Sequence, residues 1–212
     1  MIRIDIVSDV ICPWCYIGKR RLERALAAEP PGSIEVGWRP FQLNPDMPAE
    51  GMSRQDYLRA KFGDSGGGKS YQHVIAAGLE EGIPFAFDRM QRTPNTVRAH
   101  RLNRFAERAG KQDTVVEALF LAYFVKALDV GDVDVLVDVA AGCGLDAAWV
   151  RDYLVSDEDA ELIREEDAFA RKIGIHGVPC FVVDRKFMVS GAQPPETFAQ
   201  VFQRVRESVA AQ

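Results

Sequence analysis

Two cysteines near the start of the chain have a spacing that suits redox chemistry. Cys12 and Cys15 flank Pro13 and Trp14, and the apolar residues that follow recur at helical spacing. Cys12 is thereby predicted at a helix N-terminus, where unpaired backbone N–H groups and the helix dipole favour a thiolate. Pro13 suits the first helical position because no backbone N–H is needed there. We expect Cys12 to be the nucleophile and Cys15 to resolve a mixed disulfide.

Three other interpretations of this pair remain open. A structural zinc site needs four ligands, and the remaining Cys143, Cys180 and three histidines contain no second close pair. A structural disulfide across so short a loop would remove little chain entropy, and a reducing compartment disfavours it. The two thiols can also be inert core residues. Dithiol chemistry is favoured over all three.

Composition narrows the class of protein. The chain has 212 residues, 47% of them hydrophobic, and a net charge of -5 with basic and acidic residues interspersed. Such a chain can bury a sizeable core, and it lacks the basic surface that nucleic acid would require. The apolar stretches are shorter than the roughly 18 residues that cross a bilayer, and the N-terminal segment does not resemble a secretory signal. We expect no membrane association and a cytoplasmic location.

The order of predicted elements indicates an interrupted α/β domain. Residues 1–50 show a strand, a helix and a second strand, which is the pattern of a βαβ unit. Residues 51–173 show helical patterns only, with Thr93 before Pro94 and Asp157 predicted at helix starts. Residues 174–212 show a hairpin around positions 184 and 185 and then an amphipathic helix. We therefore predict a sheet domain in two parts, 1–50 and 174–212, with a helical insertion domain between them.

One glycine-rich segment invites a ligand-binding interpretation that the sequence does not support. Residues 62–70, FGDSGGGKS, lack the spacing of a phosphate-binding loop, and no predicted strand precedes them. The segment is predicted to be a flexible loop.

A second signal lies at the return to the sheet. In GVPCFVV, Pro179 stands at the start of a predicted strand, a position that suits a cis peptide bond or a strand entry. A cis Val178–Pro179 bond would leave the backbone of Val178 facing an incoming chain, which a thiol-exchange site needs for brief pairing with a peptide.

Several other residues have competing interpretations. Asp9, three residues before Cys12, is expected to cap the following helix, with proton transfer from Cys15 as the less favoured role. Cys143 and Cys180 are interpreted as buried core thiols. His176 is interpreted as a solvated loop residue, and His100, on a predicted helix, is a weaker candidate for function.

These motifs together resemble a known family. CPWC after the first strand, GVPCFVV far downstream and a helical insertion between them resemble the DsbA family of thioredoxin-fold oxidoreductases. The strings WRPFQLNPDMP, TPNTVRAHRL and SGAQPPETF are similar to its FrnE-type branch, cytosolic proteins described as dithiol-disulfide isomerases. The similarity runs over nearly the whole chain. It implies an α/β, thioredoxin-like fold interrupted by a large all-helical insertion domain.

The resemblance also implies roles for individual residues. It makes Cys12 the attacking thiol, Cys15 the resolving thiol and Pro179 the cis-proline packed against them. The related kappa-class glutathione transferases and 2-hydroxychromene-2-carboxylate isomerases use a serine where this chain has Cys12, and a serine cannot exchange disulfides. Relatedness alone implies a substrate groove, with glutathione as an optional co-substrate, near Trp14, Asn44, Val178 and Ala192.

The expected activity is therefore dithiol redox chemistry on protein or small-molecule thiols and disulfides. Strongly oxidising members of the family carry a histidine where this chain has Trp14, so a reductase or isomerase is favoured over a dedicated oxidant. No metal or other cofactor is expected, and homodimer formation is left open. The alternatives are a glutathione-dependent transferase or isomerase, and a non-catalytic thiol-bearing chaperone or binding module.

Overall fold

The sheet is short and mixed, and the helices far outnumber its strands. The computed structural model describes residues 1–63 and 68–210. In chain order its strands are β1 (Ile2–Ser8), β2 (Ile34–Pro40), β3 (Met52–Ser53), β4 (Arg92–Thr93), β5 (Cys180–Val183) and β6 (Phe187–Ser190). Its α-helices are α1 (Pro13–Leu26), α2 (Arg54–Phe62), α3 (Gly68–Glu80), α4 (Val97–Arg108), α5 (Gln112–Phe120), α6 (Val133–Gly142), α7 (Ala147–Val155), α8 (Ala160–Lys172) and α9 (Pro195–Ala210).

The main sheet has the strand order β2-β1-β5-β6. β1 and β2 are parallel and joined through α1, as the βαβ pattern predicts, whereas β5 runs antiparallel to both β1 and β6. The β5–β6 turn has positive φ at Asp184 (53°) and Arg185 (56°), which is the left-handed backbone of a tight two-residue hairpin. The predicted hairpin is confirmed.

Alternation along β1 places its side chains on two faces. Ile2, Ile4 and Ile6 are buried in the core that α1 and α9 cover, whereas Val7 is buried with Phe41 on the face that α8 covers. On the first face α1 comes very close to the sheet at Gly18. A Cβ at this glycine would lie 3.0 Å from Cγ of Pro179 and 3.1 Å from Cζ of Phe181. The glycine therefore permits a close approach that places α1 directly against Pro179.

The helical segment lies between β2 and β5 in the chain, as expected of an insertion. Its core is built from apolar residues of α4 to α7, among them Leu102, Val115, Leu119, Leu136 and Val150. After α5 the chain continues as one π-helical turn, Leu121–Val125. Within the described residues, no helix is both long and apolar enough to cross a membrane. The exact boundaries of the insertion, at residues 50 and 173, stay a prediction.

Local predictions within the insertion were partly wrong. β3 and β4 form a two-residue antiparallel pair where helices alone were expected, because so short a pairing leaves no alternating pattern in the sequence. Thr93 belongs to β4 and does not cap α4, which begins three residues after Pro94. Instead Asn95 accepts a hydrogen bond from Val97 N at 3.0 Å and donates one to Met47 O at 2.7 Å. A tertiary contact therefore delays the start of the helix.

Two further local predictions concern the helix cap at Asp157 and the loop over residues 62–70. Asp157 does not cap α8, because α8 begins at Ala160 and Asp159 occupies the N-cap position. The loop predicted over 62–70 falls partly on residues 64–67, which lie outside the described residues. On either side of them, Phe62 ends α2 and Gly68 begins α3, so the loop prediction was wrong for Phe62 and for residues 68–70.

A buried arginine joins two helices of the insertion. Arg101 on α4 is 2% exposed, and its guanidinium donates to the carbonyl oxygens of Glu158 (2.6 Å), Leu154 (3.2 Å) and Tyr153. Two of these carbonyls belong to the last turn of α7, which has no intrahelical partners for them. The cation therefore stabilises the end of α7 against α4.

We predict that Arg101→Leu lowers the free energy of unfolding by about 2–4 kcal/mol, because it removes the hydrogen bonds of three carbonyl oxygens, of which Tyr153 O keeps a second donor in the Ser156 hydroxyl. Urea unfolding followed by circular dichroism measures the effect. The matched control is Arg98→Leu on the same helix, where the exposed side chain donates to one carbonyl, Gly131 O, at 3.3 Å. An equal loss of stability in both variants would contradict the role given to Arg101.

Candidate active site

The two cysteines occupy the positions predicted for a reactive dithiol. Cys12 is the N-cap residue of α1, Pro13 is in its first turn, and Cys15 N donates to Cys12 O at 3.0 Å. Both side chains are free thiols. Cys12 is 4% exposed and Cys15 1% exposed, so the first sulfur lies at the surface of a pocket and the second lies behind it.

The Val178–Pro179 step, which comes from the C-terminal part of the sheet domain, lies against Cys12. The Val178–Pro179 peptide bond is cis, which confirms the prediction. Sγ of Cys12 lies 3.5 Å from the carbonyl oxygen of Val178 and donates to it. Pro179 is buried between this contact and Gly18 of α1. Residues from the two ends of the chain thus form one face of the site.

The surroundings of Cys15 disfavour its thiolate. Burial, together with the neighbouring Cys12 thiol, raises the pKa of Cys15 well above its ordinary value of about 9. Hydrogen bonds from the Ser8 side chain and the Asp9 backbone act in the opposite direction but are smaller effects. Cys15 is therefore a neutral thiol at neutral pH.

Asp9 does not cap α1, which has no side-chain cap at all. Its carboxylate is 0% exposed and accepts from the backbone N–H groups of Ile11 (3.4 Å) and Leu43 (2.7 Å). The expectation of a cap was wrong because the carboxylate turns into the core, toward the segment after β2. Only a buried tertiary partner, the Leu43 amide, explains this orientation.

His100 completes the buried polar group around Asp9. Its Nε2 lies 3.5 Å from Oδ1 of Asp9 and 3.1 Å from the carbonyl oxygen of Phe41. Both neighbours are acceptors, so Nε2 carries a proton. Sequence reasoning gave His100 little weight, because nothing in the spacing of a residue on α4 indicates that it will meet the segment before Cys12.

The insertion holds the same segment from the other side. Asp167 on α8 accepts from Gln42 N at 2.8 Å, while Arg171 donates to Gln42 O and lies 4.2 Å from the centre of the Phe41 ring. The backbone from Phe41 to Leu43 is therefore bound by side chains of α4 and α8 and of the segment before Cys12. Leu43, at its end, lines the same pocket as Cys12.

A pocket of about 310 Å³ opens beside Cys12; we call it the thiol pocket. Eight of its fifteen lining residues come from the insertion, six of them aromatic or apolar and two of them cationic. Its lining residues are Ile11, Cys12, Pro13, Trp14, Leu43, Arg54, Tyr57, Lys61, Phe62, Tyr71, Val74, Phe87, Phe124, Gly177 and Val178.

The structure brings some of the predicted binding residues together and separates others. Trp14 and Val178 line the thiol pocket, and Asn44 lines an adjoining groove that shares Leu43, Tyr57 and Lys61 with it. Ala192 lies apart from the lining, where its carbonyl accepts from Arg21 of α1 at 2.6 Å. The roles of Asn44 and Ala192 in binding stay predictions.

Sequence reasoning missed the contribution of α2 and α3 to this pocket. Arg54 and Tyr71 come from these two elements, and no motif marks them. Of the other two thiols, Cys180 is buried in β5 as expected, and Cys143 is half-buried, with Sγ 3.7 Å from Thr114 O. Within the described part of the chain, no three side chains group as metal ligands.

Comparison with known proteins agrees with this geometry. A probable DsbA oxidoreductase from Streptomyces coelicolor is 35% identical, with a TM-score of 0.87 over 96% of this chain and 89% of that one. The cytosolic disulfide reductase DsbM from Pseudomonas aeruginosa, solved with GSH, is 17% identical, with a TM-score of 0.70 over 96% of this chain and 99% of that one.

A third solved structure, a 2-hydroxychromene-2-carboxylate isomerase, is 17% identical, with a TM-score of 0.71 over 99% of this chain and 98% of that one. At this identity the second and third likenesses show a shared fold. The DSBA-like thioredoxin domain matches residues 3–203, nearly the full chain. The chain therefore belongs to the DSBA-like thioredoxin domain family, and both the α/β thioredoxin-like fold with its helical insertion and the family resemblance are confirmed.

Proposed function

We propose that this member of the DsbA-like family is a thiol-disulfide oxidoreductase or isomerase that exchanges disulfides through Cys12 and Cys15. The observation that carries the proposal is the pair of free thiols at the start of α1, with Cys12 at the thiol pocket and Cys15 behind it. The family membership supports oxidoreductase chemistry in general. The substrates are protein or small-molecule thiols and disulfides.

In the reductive direction the chemistry takes two exchange steps. The Cys12 thiolate attacks a substrate disulfide, whose S–S bond breaks as one thiolate leaves and a mixed disulfide forms. Cys15 then loses its proton and attacks Sγ of Cys12, which forms the Cys12–Cys15 disulfide and releases the second thiolate. The protein dithiol gives up two electrons and the substrate gains them. An external thiol, such as glutathione, returns the protein to its dithiol state.

The location of the two thiols suits this order. Because the helix N-terminus stabilises negative charge, Cys12 is favoured as the attacking group. Burial keeps Cys15 protonated, so it does not compete for substrate. Its attack on Cys12 is intramolecular, over one turn of helix, and this proximity offsets the small thiolate fraction.

A second candidate function is glutathione-dependent transfer or isomerisation. Two observations favour it: the likeness to a disulfide reductase solved with GSH and to a carboxylate isomerase, and a pocket sized for a small molecule. A transferase would keep its activity in Cys15→Ser and bind glutathione tightly. A non-catalytic binding module would leave insulin unreduced while still holding unfolded clients.

The cellular setting is also proposed. A cytoplasmic location and work as a reductase or isomerase are supported by the neighbour described as a cytosolic disulfide reductase. Strong oxidants of the family have a histidine at the position of Trp14, so Trp14 also supports a reductase or isomerase. Homodimer formation stays a proposal.

We predict that Cys15→Ser accumulates mixed disulfides on Cys12, because the resolving sulfur is absent. Non-reducing electrophoresis and mass spectrometry of the trapped species measure the effect. Cys12→Ser should trap nothing, and Cys143→Ser, with the dithiol intact, should behave as the wild type does. If Cys15→Ser forms no mixed disulfide with any disulfide partner, the exchange mechanism is wrong.

The pKa direction of Cys15 yields a pH prediction. In a variant that keeps Cys15 as its sole cysteine, alkylation by iodoacetamide should be slow at pH 7 and should rise only well above the ordinary pKa of a thiol, since the thiolate reacts and burial raises the pKa of Cys15. Unfolding the same variant in urea should move the rise down to the ordinary thiol pKa of about 9. The raised pKa of Cys15 would be contradicted if the alkylation rate of the folded protein levelled off at a pH below the midpoint measured for the unfolded protein.

A further inference from the structure

The walls of the thiol pocket form a preorganised aromatic surface. Tyr71 and Phe87 meet edge to face with ring centroids 4.8 Å apart, and Phe85 stacks behind Phe87 at the same separation. Phe124 meets Phe87 edge to face at 6.1 Å. Because these rings pack on one another, the wall does not need to assemble around a ligand. A flat apolar group would bury its faces there without displacing polar side chains.

Arg54, on α2, brings a positive charge to this aromatic surface. It donates to Oγ1 of Thr93 at 3.2 Å and to the Tyr71 hydroxyl, and its guanidinium carbon lies 5.4 Å from the Tyr57 ring centre and 5.5 Å from that of Tyr71. All of these partners are neutral. Within the described ranges 1–63 and 68–210, no carboxylate lies within ion-pair distance of Arg54.

Lys61 lies seven residues further along α2, about two helical turns, and its ammonium group likewise has a neutral hydrogen-bond partner. Its Nζ donates to the Tyr57 hydroxyl at 2.7 Å, and none of the described carboxylates pairs with it. By contrast Arg59 on the same helix faces Asp56 at 3.7 Å, and Arg20 and Arg21 on α1 each pair with a glutamate. Among the described residues, the side-chain hydrogen bonds of these two cations go to hydroxyl groups, so both would gain from a bound anion.

The size and depth of the pocket limit the kind of ligand that can carry this anionic group. At about 310 Å³ it stands at the lower end of the roughly 300–1,000 Å³ range of small-molecule sites. Cys12 is 4% exposed, so a substrate sulfur must enter the pocket to reach it. A sulfur atom of a small molecule therefore reaches Cys12 more easily than a sulfur atom held on the surface of a rigid protein.

We propose that the thiol pocket is a substrate site for small aromatic carboxylates that carry a thiol or disulfide, with the ring against Tyr71, Phe87 and Phe124 and the carboxylate on Arg54 and Lys61. The inference rests on the proposed function and names its substrate class. With an aryl disulfide, Cys12 displaces one aryl thiolate and Cys15 displaces the other. The protein dithiol is oxidised to the disulfide, and the substrate is reduced to two thiols.

The test compares two aryl disulfides that differ in charge. Dithiobis(nitrobenzoate) has one carboxylate on each ring, and dipyridyl disulfide is uncharged; both release a coloured thiol on exchange. In Arg54→Gln the ratio of the exchange rate with the carboxylate reagent to that with the uncharged reagent should fall by about tenfold, since hydrogen bonds from a cation to a carboxylate have effects of that size. Arg54→Lys should recover part of the ratio.

Arg59→Gln is the matched control, because it removes a charge from the same helix outside the pocket. Its rate ratio should equal that of the wild type. A ratio that is unchanged in Arg54→Gln, or that falls equally in Arg59→Gln, overturns the proposed substrate class while leaving disulfide exchange intact. If Cys12 exchanges with neither reagent in the wild type, the proposed function itself fails.

A second measurement uses the wild-type protein and so does not depend on how the variants fold. Naphthoate, which has a ring and a carboxylate but no sulfur, should slow the alkylation of Cys12 by iodoacetamide. Naphthamide, of nearly the same shape without the charge, and acetate, which has the charge without the ring, should protect much less. Equal protection by naphthoate and naphthamide would overturn the role of the cations, and better protection by S-methylglutathione than by naphthoate would overturn the aromatic preference.

Discussion

The carboxylate of Asp9, wholly removed from solvent, joins the segment that leads into Cys12 to the segment that follows β2. It accepts from Ile11 N on one side and from Leu43 N on the other, and His100 of α4 lies against it. A buried carboxylate without donors would be very costly, so these contacts must persist in the folded state. The position of Cys12 relative to Leu43, and therefore to one wall of the thiol pocket, depends on them.

The helical insertion is part of the candidate active site. Its helices α4 and α8 hold the backbone after β2 through His100, Asp167 and Arg171, while α2, α3 and the π-helical turn supply the rings and cations of the thiol pocket. Lys19 on α1, 3% exposed, forms ion pairs with Asp113 and Glu117 of α5 and so ties the dithiol helix to the same block. In this arrangement the thioredoxin-like part carries the two thiols, and the insertion carries aromatic and cationic walls of the pocket beside them.

Elements with a clear local pattern were predicted closely. β1, α1, β2 and the hairpin at Asp184 and Arg185 lie where periodicity and turn residues place them. Two of the errors share one cause. Thr93 and Asp9 were expected to cap helices on local preference, yet Thr93 pairs in β4 and Asp9 binds an amide far along the chain. Buried polar side chains follow their tertiary partners when the two signals conflict.

By itself the sequence determined the dithiol, its place at the start of the first helix, the Val-Pro step and the order of strands and helices, because each of these depends on neighbours within a few positions. It did not determine what surrounds the sulfurs. The pairing of His100 with Asp9, the hold of Asp167 and Arg171 on Gln42, and the contact of Arg54 with Tyr71 join residues whose spacing carries no signal. Those contacts were decided by the tertiary structure, since a buried polar group is satisfied by whatever donor or acceptor the packed chain brings to it.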